Sequence, residues 1–380
     1  MTNPWPTTKL GDVIDLFDSQ RIPLNSRQRQ ERQGKFPYYG AQGIIDYIDD
    51  YIFDGRYILV AEDGENLNSK KLPLALFATG KFWVNNHAHI LRGKANIADD
   101  TYLLACLNNA DIKPFVTGAA QPKLSQGNLR LIEIPLPPLP IQQRIAGILS
   151  AYDELIENSQ RRIKLLEAMA RALYREWFVH FRFPGHENHP RVPSPLGEIP
   201  QGWEVRTVEE IVKRIPVGKK YDQKTVSSTG TIPVLDQGKS GIIGFHDEQP
   251  GVEATESTPV IVFANHTCYQ RLIHFPFSAI QNVLPFVSHP SVFRNIYWLH
   301  WVTNGLVAFN DYKGHWPEFA AKWIVVPPQD ICQDFGNFAE TISRQILKLE
   351  RAIQTLRRTR DLLLPRLLSG QIDVKTIPYA

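Results

Sequence analysis

Several short stretches hold residue types that elsewhere carry out chemistry, and their spacing decides against most of it. Gly238-Lys239-Ser240 has the ending of a phosphate-binding loop. The first glycine of G-x-x-x-x-G-K-[ST] would fall at Pro233, so the turn that cradles phosphate is missing. His87 and His89 in NNHAHI alternate along an extended stretch and point to opposite faces, a poor arrangement for one metal ion. His186 and His189 lie in GHENHP, which has the composition of a solvated linker. No Glu is followed two residues later by Lys, which argues against a nuclease site built on that pair. A dinucleotide fingerprint after a strand and a G-x-S-x-G elbow are also missing. The expectation is a chain that is not itself an enzyme, with no metal site and no cofactor of its own.

Charge is more informative by position than by sum. The net charge is +3, from 42 basic and 39 acidic residues. Residues 20–35 gather Arg21, Arg27, Arg29, Arg32 and Lys35 against Glu31, and residues 213–224 gather Lys213, Arg214, Lys219, Lys220 and Lys224 against Asp222. Two solvated loops would show the same excess. Both clusters, however, surround an Arg-Ile-Pro triplet, at 21–23 and 214–216.

Other features also recur in order. WPTTKLGDVIDLF (5–17) is matched by WEVRTVEEIVKRI (203–215), and FPYYGAQGIIDYI (36–48) by IPVLDQGKSGIIGFH (232–246). Gly-Ile-Ile falls at 43–45 and 241–243, followed by the apolar strands RYILVAED (56–63) and PVIVFANH (259–266). Each half then closes on a proline-to-helix hinge, PLPPLPIQQRIAGIL (135–149) and VVPPQDICQDFGNF (325–338). Such internal repetition points to one architecture written twice.

The elements that would position these loops follow from periodicity. From Ile141 apolar residues return every three or four positions through 177, predicting a helix over 141–183 that stops at Pro184-Gly185. A second stripe, Phe335, Phe338, Ile342, Ile346, Leu349, Ile353, Leu356 and Leu363, predicts a helix from about Ile331 to Leu368, bent or ended by Pro365. A helix of about 40 residues is roughly 60 Å long. Two such stripes in one chain pair most simply as an antiparallel coiled coil. Each rod has seven basic and five acidic residues, in 141–183 and in 329–368, an ordinary solvated face.

The expected class is therefore α+β: two similar mixed domains, 1–140 and 184–325, separated by long helices at 141–183 and 326–380, in a pseudo-twofold repeat. A chain of 380 residues exceeds one ordinary core. No apolar run approaches the ~20 residues of a membrane span. The start, MTNPWPTTKL, lacks a secretory pattern, and Cys106, Cys268 and Cys332 have no paired spacing. A cytoplasmic location is expected, with no membrane partner.

The whole chain resembles the specificity (S) subunits of type I restriction-modification systems. The resemblance rests on the twofold repeat, YGAQGIIDYIDDYIFDGRYILVAEDG (39–64), TGAAQPKLSQGNLRLIEIPLPPLPIQQRIAGIL (117–149) and LLLPRLLSGQIDV (362–374). The second half departs from it, reading DYKGHWPEFAAKWIVVPP (311–328) without the Gln-Pro-Lys-Leu string. The resemblance implies two target recognition domains, each reading half of a split, asymmetric double-stranded DNA sequence. It implies coiled-coil helices that set the gap, and a subunit without catalysis of its own. The implied partners are two methyltransferase subunits, which use S-adenosylmethionine to methylate adenine, and motor-nuclease subunits, which use ATP and Mg²⁺.

On that reading, phosphate contacts would come from Arg21, Arg27, Arg29 and Lys35 and from Lys219 and Lys220. Base edges would be met by Gln, Asn and Lys on glycine-rich loops. These are Gln42, Asn85, Asn86, Gln121 and Lys123 in the first half. In the second they are Gln237, Lys239, Asn265, His266, Gln281, Asn282, Lys313 and His315. Tyr38, Tyr39 and Trp316 could stack on bases, though packing suits them better. Two other classes fit the same residues: a free-standing DNA-binding regulator, and a carbohydrate- or peptide-binding module on a helical stalk.

Overall fold

The computed structural model describes residues 5–118, 121–238, 241–292, 294–310 and 313–376. The chain divides into two compact units, residues 1–160 with 351–380, and residues 161–350.

Unit 1 begins with β1 (Thr7–Lys9), the single turn α1 (Leu10–Val13) and β2 (Ile14–Leu16). Helix α2 (Ser26–Glu31) starts at Asn25, whose side chain accepts from Gln28 N while the Gln28 side chain caps back. The hairpin β3 (Gln33–Gly40) and β4 (Gly43–Ile48) follows, then β5 (Phe53–Ala61), α3 (Asn66–Ser69), β6 (Ala75–Val84) and β7 (Ala88–Gly93). Helix α4 (Asp100–Asn109), α5 (Gln126–Leu131) and β8 (Glu133–Pro135) complete the unit before α6 (Leu139–Tyr174). Six strands form one sheet in the order β2-β7-β5-β6-β3-β4, and β8 returns to pair with β1. The run Ile58-Leu59-Val60-Ala61 on β5 is buried throughout because both faces of the sheet are covered. Ile58 and Val60 meet Leu103 and Leu107 of α4. Leu59 joins Phe53, Phe82 and Ile90 on the other face.

Unit 2 repeats this plan after a linker hairpin, β9 (Arg191–Ser194) with β10 (Gly197–Pro200). Its elements are β11 (Glu204–Thr207), α7 (Val208–Ile211), β12 (Val212–Arg214), β13 (Ile232–Leu235), β14 (Ile242–His246) and β15 (Val260–Ala264). Then come β16 (Gln270–Ile273), β17 (Ser278–Ala279), β18 (Val283–Ser288), α8 (Ile296–Thr303), α9 (Trp316–Ala320) and β19 (Trp323–Val326). Its strands are ordered β12-β18-β15-β16 and β14-β13-β17, with β19 pairing to β11. Helices α2 and α3 have no counterpart among the described residues, and the counterpart of the long strand β6 is split into β16 and β17, which divides the sheet.

The repeat extends to single hydrogen bonds. Leu10 N donates to Ile132 O at 2.8 Å and Val208 N to Lys322 O at 2.9 Å. Phe17 N donates to Ile90 O at 2.8 Å and Ile215 N to Pro285 O at 2.9 Å. Gly43 and Gly241 enter the two hairpins at φ of 121° and 77°, a region that favours glycine. One residue of register is then lost in each. Tyr38 pairs with Asp46 but Tyr39 with Ile44, and Val234 pairs with Gly244 but Leu235 with Ile242. Ile45 and Ile243 are thus the extra residues of matching β-bulges.

The second long helix, α10, spans Gln329–Leu368. Within unit 1, Ile145, Ala146 and Leu149 of α6 join Leu363, Leu364, Leu367 and Leu368 of α10 in one core. Within unit 2, Tyr174 packs on Phe335 at 6.0 Å and Phe178 on Phe335 at 5.0 Å. In each unit the early part of one helix meets the late part of the other, the antiparallel pairing expected. Two expectations need correction. The first helix stops at Tyr174, passes through a widened turn at Arg175–Val179 and ends before Phe181, whose φ is 57°. Phe178, drawn into contact with Trp203 at 5.9 Å, explains why it leaves the regular helix before Pro184. Pro365 neither ends α10 nor stops its last turn, since Ser369 N still donates to Pro365 O at 3.0 Å.

Candidate nucleic-acid interface

Three loops meet in each unit, and main-chain hydrogen bonds fasten them. In unit 1, Glu62 N donates to His87 O at 2.9 Å, Leu124 N to Glu62 O at 2.7 Å and Asn85 N to Tyr39 O at 3.0 Å. In unit 2, Asn265 N donates to Asn282 O at 2.8 Å, His315 N to Asn265 O at 2.8 Å and Ile280 N to Leu235 O at 3.1 Å. These bonds equate Glu62 with Asn265, Asn85 with Ile280, His87 with Asn282, and Leu124 with His315. The weakly matching stretch 313–315 therefore does the same work as Pro122-Lys123-Leu124. Thr117 and Lys123 exchange both of their main-chain bonds, at 2.7 and 2.8 Å, which closes the first lead-in loop on itself.

The side chains on this shared frame differ. Unit 1 carries an ionic network. Arg21 Nη1 lies 2.7 Å from Glu62 Oε2 and donates to Ala88 O at 2.9 Å, while Lys123 Nζ stands 3.3 Å from Glu62 Oε1. Beside it, Asp18 Oδ2 and His89 Nδ1 are 2.6 Å apart, His89 Nε2 is 2.7 Å from Leu124 O, and Ile90 N donates to Asp18 Oδ1 at 2.9 Å. Burial works against ionisation of Asp18. The His89 bond and charge, the Ile90 amide and the Arg21 guanidinium outweigh it and hold the carboxyl below its ordinary range. His87 Nδ1 meets Asp63 Oδ2 at 2.6 Å.

Unit 2 has amides at the matching positions. Asn265 Oδ1 accepts from Trp316 N at 2.8 Å, and Gln237 Oε1 accepts from His266 N at 2.8 Å. A cleft of about 640 Å³ brings together Lys220, Gln237, His266, Gln281 and Asn282, with Ile243 on its wall. Five candidates separated by up to 62 residues thus share one surface. Nearby, Lys219 pairs with Glu248 at 2.6 Å; that hydrogen bond lowers the Glu248 carboxyl below its usual range.

The remaining candidates sort by exposure. Gln42, Arg27, Lys35, Asn86, Gln121, Lys123, Lys220, Gln281 and Lys313 present their side chains to solvent. Arg27 pairs with Glu31 at 2.9 Å and remains open to solvent, and Lys35 sits 5.4 Å over the Phe36 ring. Arg21, Arg29, Asn85, Asn265 and His315 turn inward, which revises the reading of 21–35 as a uniform phosphate-facing stretch. Arg29 is held by Asp46 at 3.0 Å and Leu24 O at 2.8 Å, and Asn85 Oδ1 accepts from His87 N at 2.8 Å. His315 is fully buried. These five shape the loops from within. Tyr38 and Tyr39 are buried and pack. Lys239 lies outside the described residues. Sequence reasoning missed Asp18 and Glu62, although an acid directly after the buried run of β5 was the signal for Glu62; His89, set aside as a metal ligand, has a hydrogen-bonding role. Among the described residues, no group of three or more His, Cys, Asp or Glu side chains could hold a metal ion, and no helix is long and apolar enough to cross a membrane.

Residues 2–168 match the family described as type I restriction modification DNA specificity domain. A putative type I restriction enzyme specificity subunit of Haemophilus influenzae is 37% identical over 147 residues, 38% of this chain and 37% of that protein. The MjaIX type I restriction enzyme specificity subunit of Methanocaldococcus jannaschii is 27% identical over 288 residues, 70% of this chain and 66% of that protein. The chain thus spans less than two thirds of the length of these relatives. In fold it is similar to the S subunit of a type I restriction-modification system from M. genitalium. That match has a TM-score of 0.65 at 14% identity, covering 97% of this chain and 99% of the other.

Proposed function

From the match of residues 2–168 to the type I specificity domain and the similarity to type I specificity subunits, we propose that the chain is such a subunit and reads a split, asymmetric DNA sequence, one half with each unit. The observation that carries this is the twice-built loop junction: the same main-chain frame carries Glu62 gripped by Arg21 and Lys123 in one unit and Asn265 bonded to Trp316 N in the other. Two equal frames with unequal side chains suit a target whose halves differ. Exposed Lys and Arg side chains around each junction supply attraction to phosphate, while Gln, Asn and His groups suit base edges.

The chain directs chemistry performed by others. Its partners are methyltransferase subunits, two per complex, that use S-adenosylmethionine to methylate adenine, and motor-nuclease subunits that use ATP and Mg²⁺. This chain holds none of those groups, and the complex works in the cytoplasm of a prokaryote. The test is long-read sequencing of DNA methylation in cells making this chain with its methyltransferase, against cells making the methyltransferase alone. A split motif methylated at adenine only with both proteins is the expected outcome. No new methylation despite a verified complex would overturn the reading.

A further inference from the structure

The repeated Gly-Ile-Ile puts an aliphatic group where the surrounding side chains are polar. Ile45 and Ile243 are the unpaired residues of the two β-bulges, and a bulge re-aims the side chain it carries. Neither belongs to a core cluster of its unit. Ile45 is 52% exposed, yet it lies beside the junction: a Cβ on Gly40 would stand 3.1 Å from Ile45 Cγ2 and 3.5 Å from Asn85 Nδ2. Ile243 lines the cleft of unit 2 with Gln237, Gln281 and Asn282. The placement recurs although the polar residues around it do not.

A base edge in the major groove offers one apolar group of any size, the C5-methyl of thymine, beside the donors and acceptors that distinguish the other bases. An aliphatic side chain set among amides and charged groups matches that combination. We propose that Ile45 and Ile243 are specificity-determining residues, each packing on the C5-methyl of a thymine in the half-site read by its own unit. The β-bulge explains how one residue of an edge strand can face the bases while its neighbours keep their places in the hairpin. This rests on the DNA-reading function proposed above and adds to it one atom-level contact per half-site.

The experiment uses the complex of this chain with its methyltransferase and a duplex carrying the split target found by methylation mapping. Each thymine is replaced in turn by deoxyuridine, which lacks only the methyl group. Affinity should fall about fourfold at one thymine in each half, the worth of one buried methyl group. Ile45→Ala should remove the sensitivity in one half alone, and Ile243→Ala in the other. Ile45→Val, which keeps the β-branch, should retain part of it; an effect from misfolding would not separate Val from Ala. If the complex prefers its target over a scrambled duplex but every uracil is tolerated, the isoleucine contact is wrong and the reading function stands. A complex with no such preference sinks both.

Discussion

At the scale of single residues, the first junction is an exercise in keeping charges where they are needed. Lys123 is exposed on the lead-in loop but leans on Glu62, which Arg21 also grips from within. Lys123→Ala should weaken binding to all DNA sequences alike and lower the slope of log affinity against log salt by about 0.9, one phosphate contact. An unchanged slope in filter-binding titrations would deny Lys123 a phosphate contact. Asp18 does a different job, since it locks β7 through His89 and the Ile90 amide. Its folded carboxyl sits below the ordinary value of 3.8, so its contribution to stability is present above that pH and is lost as pH falls through the lower folded value. Asp18→Asn should destabilise the chain by about 1–3 kcal/mol at pH 7 and flatten the acid side of its stability profile, measured by urea unfolding. Little of this was legible beforehand. The Arg-Ile-Pro cluster reads as a basic loop, but Arg21 finds Glu62 41 residues away, and only the fold brings them together.

At the scale of elements, periodicity proved a good guide and its limits were local. The stripe from Ile141 and the stripe from Phe335 both became long helices because apolar residues at three- and four-residue steps need a covered face. Their ends were less legible, since Phe178 leaves the helix to meet Trp203, a contact that spacing does not encode. The repeat was visible where it kept the same residues, as in Gly-Ile-Ile, and invisible where Lys313-Gly314-His315 replaced Pro122-Lys123-Leu124 on one backbone path. The bulges had no signature in the sequence at all. Along the helices of unit 2, partial burial and the carboxylate of Glu167 raise the Glu350 carboxyl above its ordinary value of 4.5. The folded state then loses stability as pH climbs through that range. Glu350→Gln should raise stability at pH 7 by about 0.3 kcal/mol, the size of one like-charge pair. The gain should vanish below pH 4, and thermal melts at both pH values check it.

At the scale of the whole molecule, α6 and α10 each have residues in both units. If these helices set the gap between half-sites, removing a matched seven residues from each should shorten the preferred gap by about 10 Å, or roughly three base pairs. Methylation mapping with the shortened chain reads this directly, and an unaltered gap would deny the helices that role. The loop junctions carry one more consequence. The fastening they share is main-chain: Glu62 and Asn265 make the same two bonds through their peptide groups although their side chains differ. Exposed side chains on such a frame can change one at a time while the inward ones hold it, and heritable novelty in what the chain reads becomes a matter of point substitution on a standing scaffold.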